Sequence, residues 1–105
     1  MAYERLFIKI TTENLWLYVL RMLMDRSMYA YEIAKSVKKR FDFSTAIVTV
    51  YVVLYKMRHE GLIQIEREES IRGRPDRKYY KITKKGIETF QRGIKLLRKV
   101  QKNLS

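Results

Sequence analysis

The chain has 105 residues, which is enough for one small hydrophobic core and too few for two separate domains. Its formal net charge of +12 favours a polyanionic partner, either nucleic acid or an acidic membrane surface. The absence of cysteine excludes disulfides, thiolate nucleophiles and cysteine-based zinc sites, and a hydrophobic content of 47% excludes a disordered basic tail.

The N-terminal segment 1–11 has neither the basic start nor the continuous apolar run of a signal peptide. The chain contains no apolar stretch of about 18 residues, the length expected of a membrane-spanning helix. We therefore expect a cytoplasmic protein without a membrane-spanning segment.

The first predicted helix runs from about Thr12 to Asp25, with Thr12 or Asn14 as its cap. It is apolar on almost every side, which is typical of a buried helix. Since so small a domain cannot easily bury one helix on every face, a partner subunit is the simplest cover. The residues expected at this dimer contact are Leu15, Trp16 and Val19.

The second predicted helix runs from about Tyr29 to Phe41, with Ser27 as a candidate cap. Its inner stripe is Ala30, Ile33, Ala34, Val37 and Phe41. Tyr31, Lys35 and Lys38 flank this stripe near the helix start, where the helix dipole and free backbone amides suit a phosphate. A plain charged flank explains the same three residues equally well.

The third predicted helix begins after Ser44 or Thr45 and runs to Glu60, with Gly61 as its stop. Its β-branched residues would also suit a buried strand, but 17 residues without glycine or proline favour a helix. The predicted inward residues are Ile47, Val50, Tyr51, Leu54 and Met57. The opposite face, Thr45, Thr49, Val52 and Lys56, is either a solvated surface or the face that enters a DNA groove.

A predicted β-hairpin follows, with strand-like segments at 62–67 and 78–83. Its turn contains Gly73, Pro75 and four cations in the segment 72–78. Arg72, Arg74 and Arg77 are the cations expected to contact phosphates or enter a minor groove, although an exposed turn can carry cations for solubility alone. A cationic hairpin placed after a helix is typical of the wing of a winged helix-turn-helix, which makes double-stranded DNA the leading partner.

The last predicted helix starts at Thr83 as its cap and reaches towards Asn103. Its apolar stripe, with a spacing similar to that of a coiled coil, is Ile87, Phe90, Ile94, Leu97 and Leu104. Phe90, Ile94, Leu97 and Leu104 are the residues expected to join two subunits. Seven cations against Glu88 alone give this helix a charge of +6, half the excess of the whole chain.

Four segments resemble motifs of the PadR family of winged-helix transcriptional regulators. The segment 28–33 (MYAYEI) is similar to the family's Gly-Tyr-Glu-Ile opening of the second helix, with Ala30 in place of glycine. The segment 49–54 (TVYVVL) resembles the Thr-Leu-Tyr-Pro-x-Leu signature, with Val52 in place of proline. The segment 60–63 (EGLI) matches the turn into the wing, and the segment 73–86 resembles the end of the wing and the start of the last helix.

This resemblance implies a mainly α (α+β) fold: a winged helix-turn-helix over residues 1–82, with a two-stranded wing, and a C-terminal dimerisation helix over residues 83–105. It also implies a homodimer that mostly represses transcription, often in response to an aromatic small molecule. Stacking of such an effector on Trp16 is one interpretation of that residue, and a core or dimer contact is the other.

Other functions find less support in the residues. The chain has no glycine-rich phosphate loop and no metal-ligand spacing, so we expect neither an enzyme nor a bound cofactor or metal. His59, the only histidine, is expected at the surface. Two rivals stay open: a sequence-tolerant chromatin protein, because of the charge, and a membrane-surface protein that uses its basic last helix.

Overall fold

The computed structural model describes residues 1–71 and 74–105, and it describes side chains outside the segment 71–76. Five α-helices and one antiparallel hairpin lie within those ranges, together with a 3₁₀ turn at Thr12–Asn14. The elements in chain order are α1 (Ala2–Ile10), α2 (Leu15–Leu23), α3 (Ala30–Phe41), α4 (Ile47–His59), β1 (Ile63–Ile71), β2 (Arg74–Ile82) and α5 (Lys84–Leu104). This order confirms the predicted winged helix-turn-helix with a two-stranded wing and a long last helix.

The hydrophobic core lies between α2, α3 and α4, and the base of the wing closes it on one side. Its largest fully buried side chains are Leu15, Val19, Leu20, Met22, Ile33, Val37, Val50, Leu54 and Met57. They recur every three or four residues along each helix, so each helix turns one stripe inwards. In the described ranges, no helix is both long and apolar enough to cross a bilayer.

The N-terminal part of the chain differs from the prediction in two ways. The segment 1–11, for which no helix was predicted, forms α1, and the predicted helix from Thr12 to Asp25 is shortened to α2 by the 3₁₀ turn. The Tyr18 hydroxyl donates to the Ile10 carbonyl at 2.6 Å, which ties the end of α1 to α2. No residue of α1 is buried, so this helix stands on the surface of the single chain.

The predicted helix caps are corrected at two places. Ser27 does not cap α3, because its hydroxyl donates to the Glu66 carboxylate on the wing. The residue before α3 is Tyr29, whose backbone amide donates to the Glu32 carboxylate at 3.3 Å. The helix predicted to begin after Ser44 or Thr45 begins at Ile47, and no side-chain hydrogen bond caps it.

The wing is tied to the helical core at its base. β1 and β2 pair from Ile63↔Ile82 outwards, with irregularities between Ile65 and Arg67 and between Glu69 and Ile71. On the other edge of β2, Met28 and Tyr80 exchange two backbone hydrogen bonds of 3.2 and 2.9 Å. The loop between α2 and α3 therefore acts as a third strand for one residue pair and fixes the direction in which the wing leaves the core.

Helix α5 begins after Thr83, which caps it as predicted. The Thr83 hydroxyl accepts from the Gly86 amide at 3.0 Å, and the Thr83 amide donates to the Leu62 carbonyl at 3.0 Å. Gly61 ends α4 with a φ of 77°, a left-handed conformation that glycine adopts without strain. The last helix therefore leaves the core directly beneath the point where the wing begins.

Candidate nucleic-acid interface

The outward face of α4 is apolar and aromatic. Val48 is 69% exposed, and Val52 and Tyr55 also face solvent, opposite the buried Val50, Leu54 and Met57. Valine methyl groups and tyrosine hydroxyls can contact thymine methyls and phosphates in a major groove. An exposed apolar strip on a helix that the core does not need to cover is typical of a binding surface.

The predicted DNA-facing side of α4 is close to this face but rotated from it. Val52 and Lys56 are exposed as expected, whereas Thr45 and Thr49 are only half-exposed, and the Thr45 hydroxyl is buried without a partner. Tyr51, assigned to the core, is 48% exposed. The buried Val50, Leu54 and Met57 alone give the observed orientation, since at about 100° per residue they place Val48, Val52 and His59 furthest from the core, with Tyr55 beside them.

Tyr31 links α4 to the start of α3. Its ring packs edge-on against Tyr51, with 6.5 Å between the ring centroids. Tyr31 and Lys35 line an open concavity of about 720 Å³ on the outer side of α3, together with Tyr29 and Lys39. Lys38 is exposed but lies 3.6 Å from the Asp42 carboxylate, so part of its charge is already compensated. The structure thus brings Tyr31 and Lys35 into one cationic recess near the helix start.

Arg77, on the wing, contacts Tyr29, one of the residues that line this recess. Its guanidinium lies 4.5 Å from the centroid of the Tyr29 ring, which packs edge-on against Tyr79 at 5.3 Å. Arg67 covers the Tyr79 ring at 3.8 Å. Such cation–π contacts contribute about 0.5–1 kcal/mol each at exposed sites. The stack Arg67, Tyr79, Tyr29, Arg77 therefore holds a charged group of the wing beside the first turn of α3.

Two carboxylates contact Arg67, the arginine at the opposite end of this stack from Arg77. Glu66 and Glu69 both contact the Arg67 guanidinium, at 2.7 and 3.2 Å. The Ser27 hydroxyl and then Arg67 lower the pKa of Glu66, while Glu69 and then Glu66 raise the pKa of Arg67. Arg67 is thus occupied by the wing itself, and Arg77 is the cation that the stack leaves without a carboxylate among the described side chains.

The other predicted wing contacts lie partly outside the described residues. Arg72 belongs to the segment 72–73, which is outside them, and Arg74 is described only through its backbone in β2. The described residues nonetheless form one continuous surface from Arg77 through Tyr29 and Tyr31 to Tyr51 and the outward face of α4. Sequence reasoning missed Tyr51 and Tyr55 in it, although their helical spacing relative to Val50 and Leu54 was sufficient to find them.

The residues predicted at a dimer contact separate into three groups. Leu15 and Val19 are 1% and 0% exposed because they belong to the core of the single chain, so neither offers surface to a partner. Trp16, Phe90 and Ile94 are half-buried where α5 crosses α2, and Trp16 contacts Gly93. Leu97 and Leu104 are exposed on the second half of α5. An exposed apolar surface was missed on α1, where Tyr3, Leu6, Phe7 and Ile10 follow helical spacing.

A family profile described as the transcriptional regulator PadR-like family matches residues 19–92, which include α3, α4, the wing and the start of α5. The chain belongs to this family. The predicted resemblance is thereby confirmed, and this PadR-like protein is a transcriptional regulator by family.

Solved structures agree with that assignment. A PadR family transcription regulator from Clostridium difficile R20291 is 31% identical over 85% of this chain and 92% of its own, with a TM-score of 0.70. A PadR-like transcription factor from Bacteroides fragilis shares the fold at 23% identity over 95% of each chain, with a TM-score of 0.78. Bacillus subtilis PadR, solved in complex with operator DNA, shares it at 22% identity over 76% of this chain and 47% of that one, with a TM-score of 0.69. No curated protein sequence matches the PadR-like chain.

Proposed function

We propose that this PadR-like regulator binds double-stranded operator DNA in a sequence-specific manner and represses transcription as a homodimer. The observation that carries the proposal is the continuous surface from Arg77 to the outward face of α4, which combines cations, tyrosine hydroxyls and exposed valines. The fold likeness to Bacillus subtilis PadR, which was solved in complex with operator DNA, supports DNA as the partner. Repression is expected from the family resemblance.

The two parts of this surface have different roles in the proposal. α4 would enter the major groove, where Val48 and Val52 contact thymine methyls and Thr49 reaches a base or a phosphate from the margin. Arg72 and Arg74, which the sequence predicts in the wing turn, would neutralise phosphates or enter the minor groove, together with Arg77 and Lys35. α4 therefore supplies sequence preference, and the wing supplies affinity that is largely independent of sequence.

Titrations of two double variants test this division. Val52→Ser/Thr49→Ala is expected to cost about 1–3 kcal/mol on an operator selected from random duplexes, with little effect on scrambled DNA. Arg72→Ala/Arg74→Ala should weaken both DNAs together and flatten the dependence of log K on log salt by about 0.9 per lost phosphate contact. The measurement is fluorescence anisotropy at several salt concentrations.

The same titrations distinguish the proposal from the chromatin-type alternative, which the charge of +12 favours. A specific regulator keeps a preference of about a thousandfold or more for its operator over random DNA. Equal binding of selected and random duplexes by the wild type would replace operator recognition with sequence-tolerant binding. An intact operator preference in the α4 variant would contradict the role assigned to that helix.

The homodimer in the proposal uses α1 and the second half of α5. Both carry exposed apolar side chains that the single chain leaves uncovered, among them Leu6, Phe7, Leu97 and Val100. Contiguous apolar surface of this kind is commonly buried between subunits. Two α4 helices related by a two-fold axis would then read two half-sites about one helical turn of DNA apart, or a multiple of it.

We also propose a place for an aromatic effector. Trp16 and the buried Leu15, Met57 and Leu62 line a cavity of about 370 Å³ between α2, α4 and α5, with Glu13, Lys56 and Glu60 also among its lining residues. A planar ligand stacked on Trp16 would contact α4 through Met57. Trp16 is the only tryptophan, so its fluorescence should be quenched by such a ligand in the wild type and in a Glu60→Gln control. Binding that persists unchanged in Trp16→Leu, measured by calorimetry because this variant has no tryptophan, would place the effector elsewhere.

A further inference from the structure

The polar face of α5 carries mostly positive charge. We define the cationic stripe as the residues Lys84, Arg92, Lys95, Arg98, Lys99 and Lys102, all of which are exposed. At about 100° per residue they fall within an arc of about 120°, and at about 1.5 Å per residue the stripe is about 27 Å long. It therefore has the length of about eight base pairs of duplex DNA.

Carboxylates do not compensate this charge. Among the described residues, the ion pairs lie on α1, α2, α3, β1 and the loops beside them, and none includes a residue of the stripe. Glu88, the only acidic residue in α5, falls in the same arc between Lys84 and Arg92, and the four cations Lys95, Arg98, Lys99 and Lys102 lie beyond its nearest helical neighbours. Cations at spacings of three and four, such as Lys95 with Arg98 and Lys99, repel one another by about 0.2–0.5 kcal/mol per pair. A solvent-exposed helix face without a binding function would be equally soluble with mixed charges, which would avoid this repulsion. The repulsion between like charges therefore indicates that a polyanion binds to the stripe.

The stripe starts far from the operator-reading end of α4. Lys85, next to Lys84, donates from its Nζ to the Glu60 carbonyl at 2.6 Å, which places the start of α5 at the C-terminal end of α4. A recognition helix contacts bases with its N-terminal residues. The 13 residues of α4 separate these two ends by about 20 Å. This separation favours a polyanion at the stripe other than the operator segment that α4 reads.

Packing of the apolar face of α5 favours DNA over a lipid surface. A helix that binds a membrane inserts its apolar face along its whole length. In α5 the first half of that face packs on the core, through Phe90 and through Gly93 against Leu17 and Trp16. The cationic stripe stays exposed while this apolar face is covered by the core. Such an arrangement suits a phosphate backbone, which binds through charge and needs no apolar contact.

We propose that the cationic stripe binds the phosphate backbone of a second, non-operator segment of duplex DNA, so that one protein bridges two DNA segments. This inference rests on the proposed function, because it assigns the operator to the surface of α4 and the wing. Binding at the stripe depends on charge and is independent of sequence, since lysine and arginine on a helix flank read phosphates and no base edges.

A capture assay tests the bridge. Biotinylated operator on beads is saturated with protein, and a fluorescent random duplex is added at salt concentrations from 50 to 200 mM. The wild type should capture the random duplex. Four phosphate contacts are removed in the variant Arg92→Gln/Lys95→Gln/Arg98→Gln/Lys99→Gln. Over this salt range, capture by the wild type should therefore weaken by a factor about a hundred times larger than the factor for the variant. At 50 mM salt, capture by the variant should be at least about tenfold weaker, and glutamine keeps the helix propensity.

The matched control is Lys95→Arg/Lys99→Arg, which keeps the charge and should capture as the wild type does. Operator affinity, measured in parallel, should change less than about threefold in the glutamine variant, because screening weakens charges beyond about 8 Å. Loss of operator binding together with capture would place the stripe on the operator itself and overturn the inference. Unchanged capture by the glutamine variant would overturn it as well.

Two further outcomes separate the inference from the proposed function. A wild type that binds the operator and captures no second duplex contradicts the bridge and leaves operator recognition standing. A wild type without any preferred operator contradicts the proposed function, and the same capture on a biotinylated random duplex then still decides whether the stripe bridges DNA. Pelleting with vesicles that contain phosphatidylserine, lost in the glutamine variant and unaccompanied by DNA capture, would assign the stripe to membranes.

Discussion

Replacing Leu97 with glutamate is expected to convert the proposed homodimer into a monomer. Leu97 is 45% exposed on the apolar side of α5, next to Val100 and Leu104, which are also exposed. Burying an unpaired carboxylate in an apolar contact costs several kcal/mol, which is enough to dissociate a small interface. Sedimentation equilibrium at tens of micromolar should show a dimer for the wild type and a monomer for Leu97→Glu.

Loss of the dimer should also weaken operator binding by about a hundredfold or more, because two linked half-site contacts become independent. The matched control is Gln91→Glu, which adds the same charge on the polar side of the same helix, where Gln91 is exposed. This control should stay dimeric. The assignment of α5 to a dimer interface would be contradicted if the wild type is monomeric at this concentration, or if the Leu97→Glu variant remains dimeric.

A Gly86→Ala variant is expected to lose about 2 kcal/mol or more of folding free energy. Gly86 is buried where α5 starts beneath the wing, and a Cβ there would overlap the Leu62 carbonyl oxygen and lie 2.7 Å from Cγ1 of Ile82. Neither neighbour can move freely, because the Leu62 carbonyl accepts from the Thr83 amide at 3.0 Å. Overpacking of this kind typically costs about 1–3 kcal/mol and occasionally more. Thermal unfolding should show a midpoint lower by about 10 °C.

Gly93→Ala is the control for this prediction. A Cβ at Gly93 would meet only side-chain ends, Leu17 Cδ1 at 3.0 Å and Trp16 Cη2 at 3.3 Å. These can shift, and alanine in a helix interior is favoured over glycine by about 0.5–1 kcal/mol. We expect the Gly93 variant to unfold within a few degrees of the wild type when both are compared at one protein concentration. Equal destabilisation by the two substitutions would show that the contact at Leu62 has no special cost.

Local chemistry made part of the fold predictable from the sequence. Thr83 caps α5 and Gly61 ends α4 as expected, because a cap and a left-handed glycine depend only on residues a few positions away. Ser27 shows the limit of this reasoning. Its hydroxyl suits a cap, but the folded wing brings the Glu66 carboxylate within reach, and that contact replaces the cap. Only the tertiary arrangement decides between the two.

The existence of α4 was predictable from the sequence, but the side of this helix that faces solvent was predicted incorrectly. Periodicity identified α4, but Tyr51 was counted as apolar and therefore rotated the predicted outer face away from Val48 and Tyr55. The stack of Arg77 on Tyr29 could not be foreseen, since it depends on the irregular register of the wing and on the bridge at Tyr80. Helix α1 was not predicted, because none of its apolar residues is buried in the core of the single chain. A helical pattern of apolar residues is easiest to recognise where those residues form part of a core.

The base of the wing also bears on how the protein avoids self-association through its strands. A two-stranded sheet has two edges, and an exposed edge is a template on which further strands add and fibrils grow. Met28 occupies the edge of β2 at Tyr80, and the irregularities in β1 interrupt the ladder that another chain would have to continue. Exposed charges at Glu66, Arg67 and Glu68 oppose stacking of identical strands. A hairpin of this length can therefore project from the core without becoming a nucleus for amyloid growth.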